Sequence, residues 1–206
     1  MALFSLFRRR PPIRDVADLA DFIDQNAAFL VQKGIYEYSR ARAGHYSKVL
    51  FRETGFREAV EQSRWRAYPL GLAMMGEMVE GVLRPLAAED PGAVADAVEE
   101  IVLSVFDRYP TPAALGPDVW LAARRALGQR LGGFRLHRPK RAMDIPEPYA
   151  ESYFALMPIY EKLRAPDSPT LRNYLRVSMC NIHDELIQRM DPRAMAESLR
   201  TSPRED

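Results

Sequence analysis

The sequence predicts an all-α fold: a single-domain bundle of six to eight helices with short, proline-capped connections. Three observations carry this expectation. Apolar residues recur three and four positions apart through most of the chain, which is the helical period. Alternating strand patterns are nearly absent. Asp-Pro, Ser-Pro and Gly-Pro pairs stand where one periodic run gives way to the next, and such pairs start helices.

Asp15 is placed to cap a helix with apolar positions Val16, Leu19, Ile23, Ala27 and Leu30. Gly34 either breaks this helix or only weakens it. Ile35, Tyr38, Tyr46, Val49 and Leu50 carry the pattern on, so spacing leaves open one rod or two helices over residues 15–51. Thr54-Gly55 marks a turn, and Phe56 to Ala67 reads as a short helix carrying Val60 and Trp65. Pro69 then falls at a kink or in the first turn of the next helix, because its ring excludes a regular helix interior. Leu70, Met74, Met78 and Val82, flanked by Met75, Val79, Leu83 and Leu86, make that next helix apolar on most sides. It belongs at the centre of the core, with its methionines as filling.

Asp90-Pro91 starts a helix with the stripe Val94, Val98, Ile101, Val102 and Val105, ended by Tyr109-Pro110-Thr111-Pro112. Its β-branched residues suit a strand, but their spacing favours a helix. Gly116-Pro117-Asp118 opens another, through Trp120, Leu121, Leu127 and Leu131, and Gly132-Gly133 closes it. Phe134 to Pro148 holds Pro139, Pro146 and Pro148 and no period, so it reads as an extended crossing loop. Pro148 to Arg164 reads as a helix kinked at Pro158. Ser168-Pro169 caps a helix running to Met190, with Leu171, Tyr174, Leu175, Ser178, Ile182 and Leu186 inward, and Asp191-Pro192 starts a last short one. The domain reading is an apolar and basic arm over 1–14, a helical domain over 15–200, and a fraying tail over 201–206.

A length of 206 residues with 47% apolar and 28% charged residues fits one folded domain and excludes a disordered chain. Cys180 is the single cysteine, so no disulfide scaffold exists. The balance of 29 basic and 28 acidic residues excludes a globally polycationic nucleic-acid binder. Only four of the basic residues are lysine, which fits a genome rich in G and C. The most apolar stretch, Leu70 to Leu86, is interrupted by Glu77, Glu80 and Arg84 and cannot span a bilayer. The first seven residues are too short for a signal-peptide core, so a cytoplasmic location is expected.

Two segments point toward anionic surfaces. In the arm, Leu3, Phe4, Leu6 and Phe7 precede Arg8, Arg9, Arg10 and Arg14, an arrangement that inserts apolar groups at a headgroup boundary while arginines meet anionic lipid. An arm packed on the domain's own surface uses the same residues. The second segment holds Arg124, Arg125, Arg130, Arg135, Arg138, Lys140 and Arg141 without an acidic residue. It suits phosphate, lipid headgroups or an acidic protein partner. Phe134 alone supplies aromatic interleaving, so nucleic acid is a poor fit. An opposite run, Glu89, Asp90, Asp96, Glu99, Glu100 and Asp107, could order an intramolecular contact with it.

Catalytic signals are weak. No serine sits in a nucleophile-elbow setting, and Cys180 falls on the apparent buried side of its helix. Three separated histidines make no legible metal site, and no cofactor is implied. Helical spacing places Arg42, His45 and Tyr46 on one wall of a polar pocket, to which His183 would add a second imidazole. The functional expectation is therefore a non-enzymatic adaptor or assembly factor, working at the inner face of a membrane or on a protein partner. The alternative is a small-ligand binder or enzyme with its site near His45 and His183. The apolar central helix is compatible with a homo-oligomer and equally with a monomer.

Overall fold

The helical period of the sequence is realised along most of the described chain. A computed structural model describes residues 11–87 and 89–201, and within them the protein is all-α. Ten α-helical segments are joined by 3-10 and π turns, and the one isolated β-bridge joins Ile13 to Met190.

α1 (Val16–Ala27) starts where expected, with the Asp15 carboxylate accepting from the Asp18 N–H at 2.8 Å. The open question over residues 15–51 resolves as one rod as far as Ala43. A π-helical turn (Ala28–Lys33) carries α1 directly into α2 (Gly34–Ala43). Gly34 does not break it. The break comes at Gly44, whose φ of 52° suits glycine, and a 3-10 turn (Gly44–Tyr46) and the short α3 (Ser47–Leu50) follow.

α4 (Thr54–Leu83) corrects the sequence reading. The short helix expected over Phe56–Ala67 and its successor are one 30-residue helix with Pro69 inside. An interior proline costs about 3 kcal/mol in an isolated helix. Tertiary burial offsets that cost here: α1, the π turn, α5 (Pro91–Asp107) and α6 (Pro117–Gly133) all pack on α4. Tyr68, Pro69 and every residue from Gly71 to Glu80 are buried. The caps of α5 and α6 hold as expected, with Asp90 accepting from the Ala93 N–H at 2.9 Å. The methionines Met74, Met75 and Met78 are core.

The expected helix over Pro148–Arg164 is broken, not kinked. α7 (Glu147–Ala155) stops, and α8 (Glu161–Arg164) is a separate turn. The Arg164 guanidinium closes the end of α7, donating to Ala155 O at 3.0 Å and Met157 O at 2.7 Å. α9 (Ser168–Arg189) also differs at its start. Ser168 is helical instead of capping, because a 3-10 turn (Ala165–Asp167) feeds straight in. α10 (Pro192–Thr201) begins at Asp191, which accepts from Arg193 N and Ala194 N. No helix among the described residues is long and apolar enough to cross a membrane.

Candidate functional site

Charge pairing inside the protein decides what the basic segment offers. Arg124 grips Asp107 with both carboxylate oxygens, at 2.7 and 2.6 Å. Arg135 reaches Asp96 at 2.6 Å and Glu99 at 3.4 Å. Lys140 donates to Glu77 at 2.6 Å, and Arg141 to Asp144 at 2.6 Å. Of the predicted anion ligands Arg135, Arg138, Lys140 and Arg141, only Arg138 has no ion partner among the described residues. The acidic and basic runs meet each other across α5 and α6, which weakens the segment as a ligand for outside anions. Phe4, Phe7, Arg8, Arg9 and Arg10 lie outside the described residues.

One of these contacts ends on a buried carboxylate, Glu77, and a second buried carboxylate, Glu80, lies one turn on; the sequence presents both only as interruptions of an apolar helix. Glu77 and Glu80, on one face of α4, are each 3% exposed. Glu77 takes Lys140 and the Tyr149 hydroxyl, the latter at 3.2 Å, and His137 Nε2 stands 3.7 Å away. Arg84 pairs with Glu80 at 2.7 Å and donates to the carbonyls of His137 and Arg135, at 2.7 and 3.3 Å. Together these bonds strap the crossing segment onto the central helix. Their sequence signal was an i, i+3 acid pair on an otherwise buried face, followed later by a basic stretch with no acid of its own.

Burial pushes the Glu80 carboxyl above the ordinary glutamate range, with the Arg84 guanidinium pulling it partly back. A raised folded pKa means the folded state holds the proton better. The resulting stabilisation is full below the unfolded pKa of about 4.3 and is lost as the pH rises through the folded value. Glu80→Gln mimics the protonated form, and Arg84 keeps its two carbonyl acceptors. The variant is expected to match wild type near pH 4 and to exceed it at pH 7. Urea unfolding at the two pH values checks this, and an equal loss at both would refute it.

The polar pocket expected around His45 and His183 does not assemble. Arg42 is tied to Asp167, just before α9, with Nε 3.1 Å from Oδ2. His183 lies sixteen residues further along that helix, about 24 Å on. His45 and Tyr46 are exposed on the 3-10 turn after Gly44. His183 instead shares a groove of about 340 Å3 with Lys140, Arg141 and Cys180, over Met78 and Val82. The structure thus joins one predicted ligand to two predicted anion binders from another part of the chain. Cys180 is half-buried on this groove, not on the fully buried side.

The most developed surface lies at the π turn, and sequence reasoning missed it. Inserting a residue into a helix frees backbone carbonyls, and π turns persist where something satisfies them. Here Tyr153 donates to Val31 O at 3.0 Å and Tyr174 to Leu30 O at 3.1 Å. Gly34 is required beneath them, since an added Cβ would stand 2.4 Å from the Tyr153 hydroxyl. Phe29, 45% exposed, and Tyr36, 41% exposed, project seven residues apart from this rod. Lys33 lies between them with its ammonium 4.7 Å from the Phe29 ring centre.

Beside this ridge runs a second groove of about 340 Å3 between α2 and the start of α9. Leu171, Ala41 and the rings of Phe29, Tyr38 and Tyr174 line it, with Lys33 and Glu37 also on its wall. The hydroxyl of Tyr174 is committed to Leu30 O and that of Tyr38 to Asp167 at 2.8 Å. Burial and that carboxylate push Tyr38 up to about 12. The tyrosines therefore present ring surface to the groove. No cluster of three or more potential metal ligands converges among the described residues. No family model, curated protein or solved structure matches the chain.

Proposed function

We propose that this protein is a non-enzymatic helical adaptor or assembly factor that binds a protein partner through the face at its π turn. One observation carries the reading. Phe29 stands exposed on a helical rod at the edge of an apolar groove lined by Leu171 and Tyr174, and Tyr36, also exposed, extends the same rod on the side toward Gln32 and Arg64. Aromatic side chains next to a preformed apolar recess are the usual anchors of protein interfaces, because they bury large area at little entropy cost. The rod is fixed in place by the two tyrosine hydroxyls, so the face does not have to order on binding.

The test compares proteins captured from source cells by wild type, Phe29→Glu and Leu121→Glu. Leu121 is a similarly exposed apolar residue on α6 and controls for general stickiness. A partner retained by wild type and Leu121→Glu but reduced about tenfold or more by Phe29→Glu is the expected result. A partner set unaffected by Phe29→Glu would end this reading. Anionic and neutral liposomes run alongside test the membrane surface as the alternative target.

A further inference from the structure

The rod made of α1, the π turn and α2 forms an antiparallel hairpin with α4. Gly71 lies against Ala27, Arg64 reaches Gln32 at 3.3 Å, and the Phe51 ring meets Tyr36 and Phe56 with ring centres 5.0 and 5.2 Å apart. Residues 44–53 are therefore the tip of this hairpin, a projecting end. α3 gives the tip two faces. Ser47, Leu50 and Phe51 are half-buried on the inner side, while His45, Lys48, Val49 and Arg52 are exposed on the opposite one. Tyr46, 74% exposed, and Val49, 56% exposed, leave apolar surface in solvent here.

The same stretch is one-sided in charge. Residues 38–52 carry Arg40, Arg42, Lys48 and Arg52 and no acidic residue, with Glu37 and Glu53 the acids on either side. Arg42 is tied to Asp167 and to the Leu163 carbonyl. Arg40, Lys48 and Arg52 have no ion partner among the described residues. The tip differs in this from the segment over Arg124 to Arg141, where Arg124, Arg135, Lys140 and Arg141 are all paired within the protein. Arg40 lies one turn beyond Tyr36 on the same face of α2, and Tyr36 meets Phe51, so the three unpaired cations gather at one end of the hairpin.

We infer that the hairpin tip is a membrane-surface site, at which Tyr46 and Val49 enter the headgroup boundary of an anionic bilayer while Arg40, Lys48 and Arg52 meet its anionic headgroups. A projecting end is the shape that reaches a flat surface. Tyrosine, with an apolar ring and a polar hydroxyl, suits the boundary between headgroups and acyl chains. Val49 offers nothing for a base to stack on, which favours lipid over nucleic acid. The ring series Tyr36, Phe51 and Phe56 holds the inner side of the tip on α2 and α4, so the outward side is preformed. Each cation near an anionic surface strengthens attachment about fivefold, so three cations with two apolar groups give a reversible, salt-sensitive contact. This inference does not depend on the protein-partner reading.

Sedimentation of the full chain with vesicles of phosphatidylcholine alone, and with about a quarter phosphatidylserine added, tests the contact. Wild type should bind the anionic vesicles at low salt and less as salt is raised. The double variant Lys48→Gln, Arg52→Gln should bind about twentyfold more weakly. Tyr46→Ser should bind about fivefold more weakly. Arg125→Gln, at an exposed arginine of α6 with no ion partner among the described residues, controls for net charge and should change binding by less than about twofold. Every substituted side chain is exposed, so circular dichroism should show wild-type helix content in each variant. Absence of wild-type binding to the anionic vesicles at low salt overturns the inference. So does binding that survives in the double variant, which would place the contact elsewhere, or an equal loss in Arg125→Gln, which would reduce it to net charge. Tighter retention on a single-stranded oligonucleotide than on the vesicles also overturns it. The two readings fail separately: Phe29→Glu should leave vesicle binding within about twofold of wild type, and the double variant should leave capture of a partner through Phe29 intact.

Discussion

Asp24→Ala is expected to destabilise the protein by about 3–4 kcal/mol, since it orphans two tyrosine hydroxyls at once. Asp24 accepts from Tyr68 at 2.6 Å and from Tyr109 at 2.9 and 3.0 Å. Tyr68 is 1% exposed, so water cannot replace the lost acceptor. Both rings sit in an edge-to-face cluster with Trp65, whose ring in turn meets Trp120, and neither can swing outward without breaking it. Burial and the neighbouring carboxylate also hold the Tyr68 hydroxyl far above its usual pKa, so it remains a donor at every working pH. Arg108, 3.8 Å from the carboxylate, would be left with Asp21, its partner at 2.7 Å. Chemical unfolding at pH 7 measures the loss. Adding Tyr68→Phe to Asp24→Ala should recover about 1–2 kcal/mol by removing the orphaned group. A loss below about 1 kcal/mol for Asp24→Ala would show that the hydroxyls find other partners.

Gly71→Ala is expected to cost about 2–3 kcal/mol, against the helix propensity that favours alanine by about 1 kcal/mol. An added Cβ would stand 2.8 Å from Ala27 O and 3.2 Å from Ala27 C, where α1 crosses α4. These are backbone atoms of a buried helix, so relief requires moving α1, not turning a side chain. Gly128→Ala on α6 is the matched control, with nothing within 4 Å of its added Cβ. It should gain up to about 1 kcal/mol from propensity alone. Thermal and urea unfolding of the pair separate the two contributions. Stabilisation by Gly71→Ala would mean that α1 and α4 are not held at this distance in solution.

The candidate face was poorly legible in the sequence for an identifiable reason. Periodicity placed Leu30 and Ile35 on a helix but could not register an extra residue in the turn between them. The carbonyls that this turn frees are satisfied by Tyr153 and Tyr174, 122 and 144 residues away. The buried acids were hidden in the same way. Glu77 and Glu80 look like solvent-facing breaks in an apolar stripe until Lys140, Arg84 and Tyr149 are brought to them. Conversely, Arg135, Lys140 and Arg141 look available for outside anions until their partners are known. His45 and His183 looked compatible because nothing in one dimension measures the 24 Å or so of helix between Asp167 and His183.

The sequence by itself determined the helical class and most helix starts. Those depend on interactions within about four residues: apolar spacing, the caps at Asp15, Asp90 and Asp191, and the prolines at the first turn. Tertiary structure decided whether helices continue or stop. Pro69 lies inside α4 because burial against α1, α5 and α6 outweighs a missing backbone bond. Pro158 ends α7 because the Arg164 guanidinium takes the freed carbonyls. The π turn exists because two distant hydroxyls meet it. In each case the local preference is worth about 3 kcal/mol or less, which long-range burial and hydrogen bonding can match.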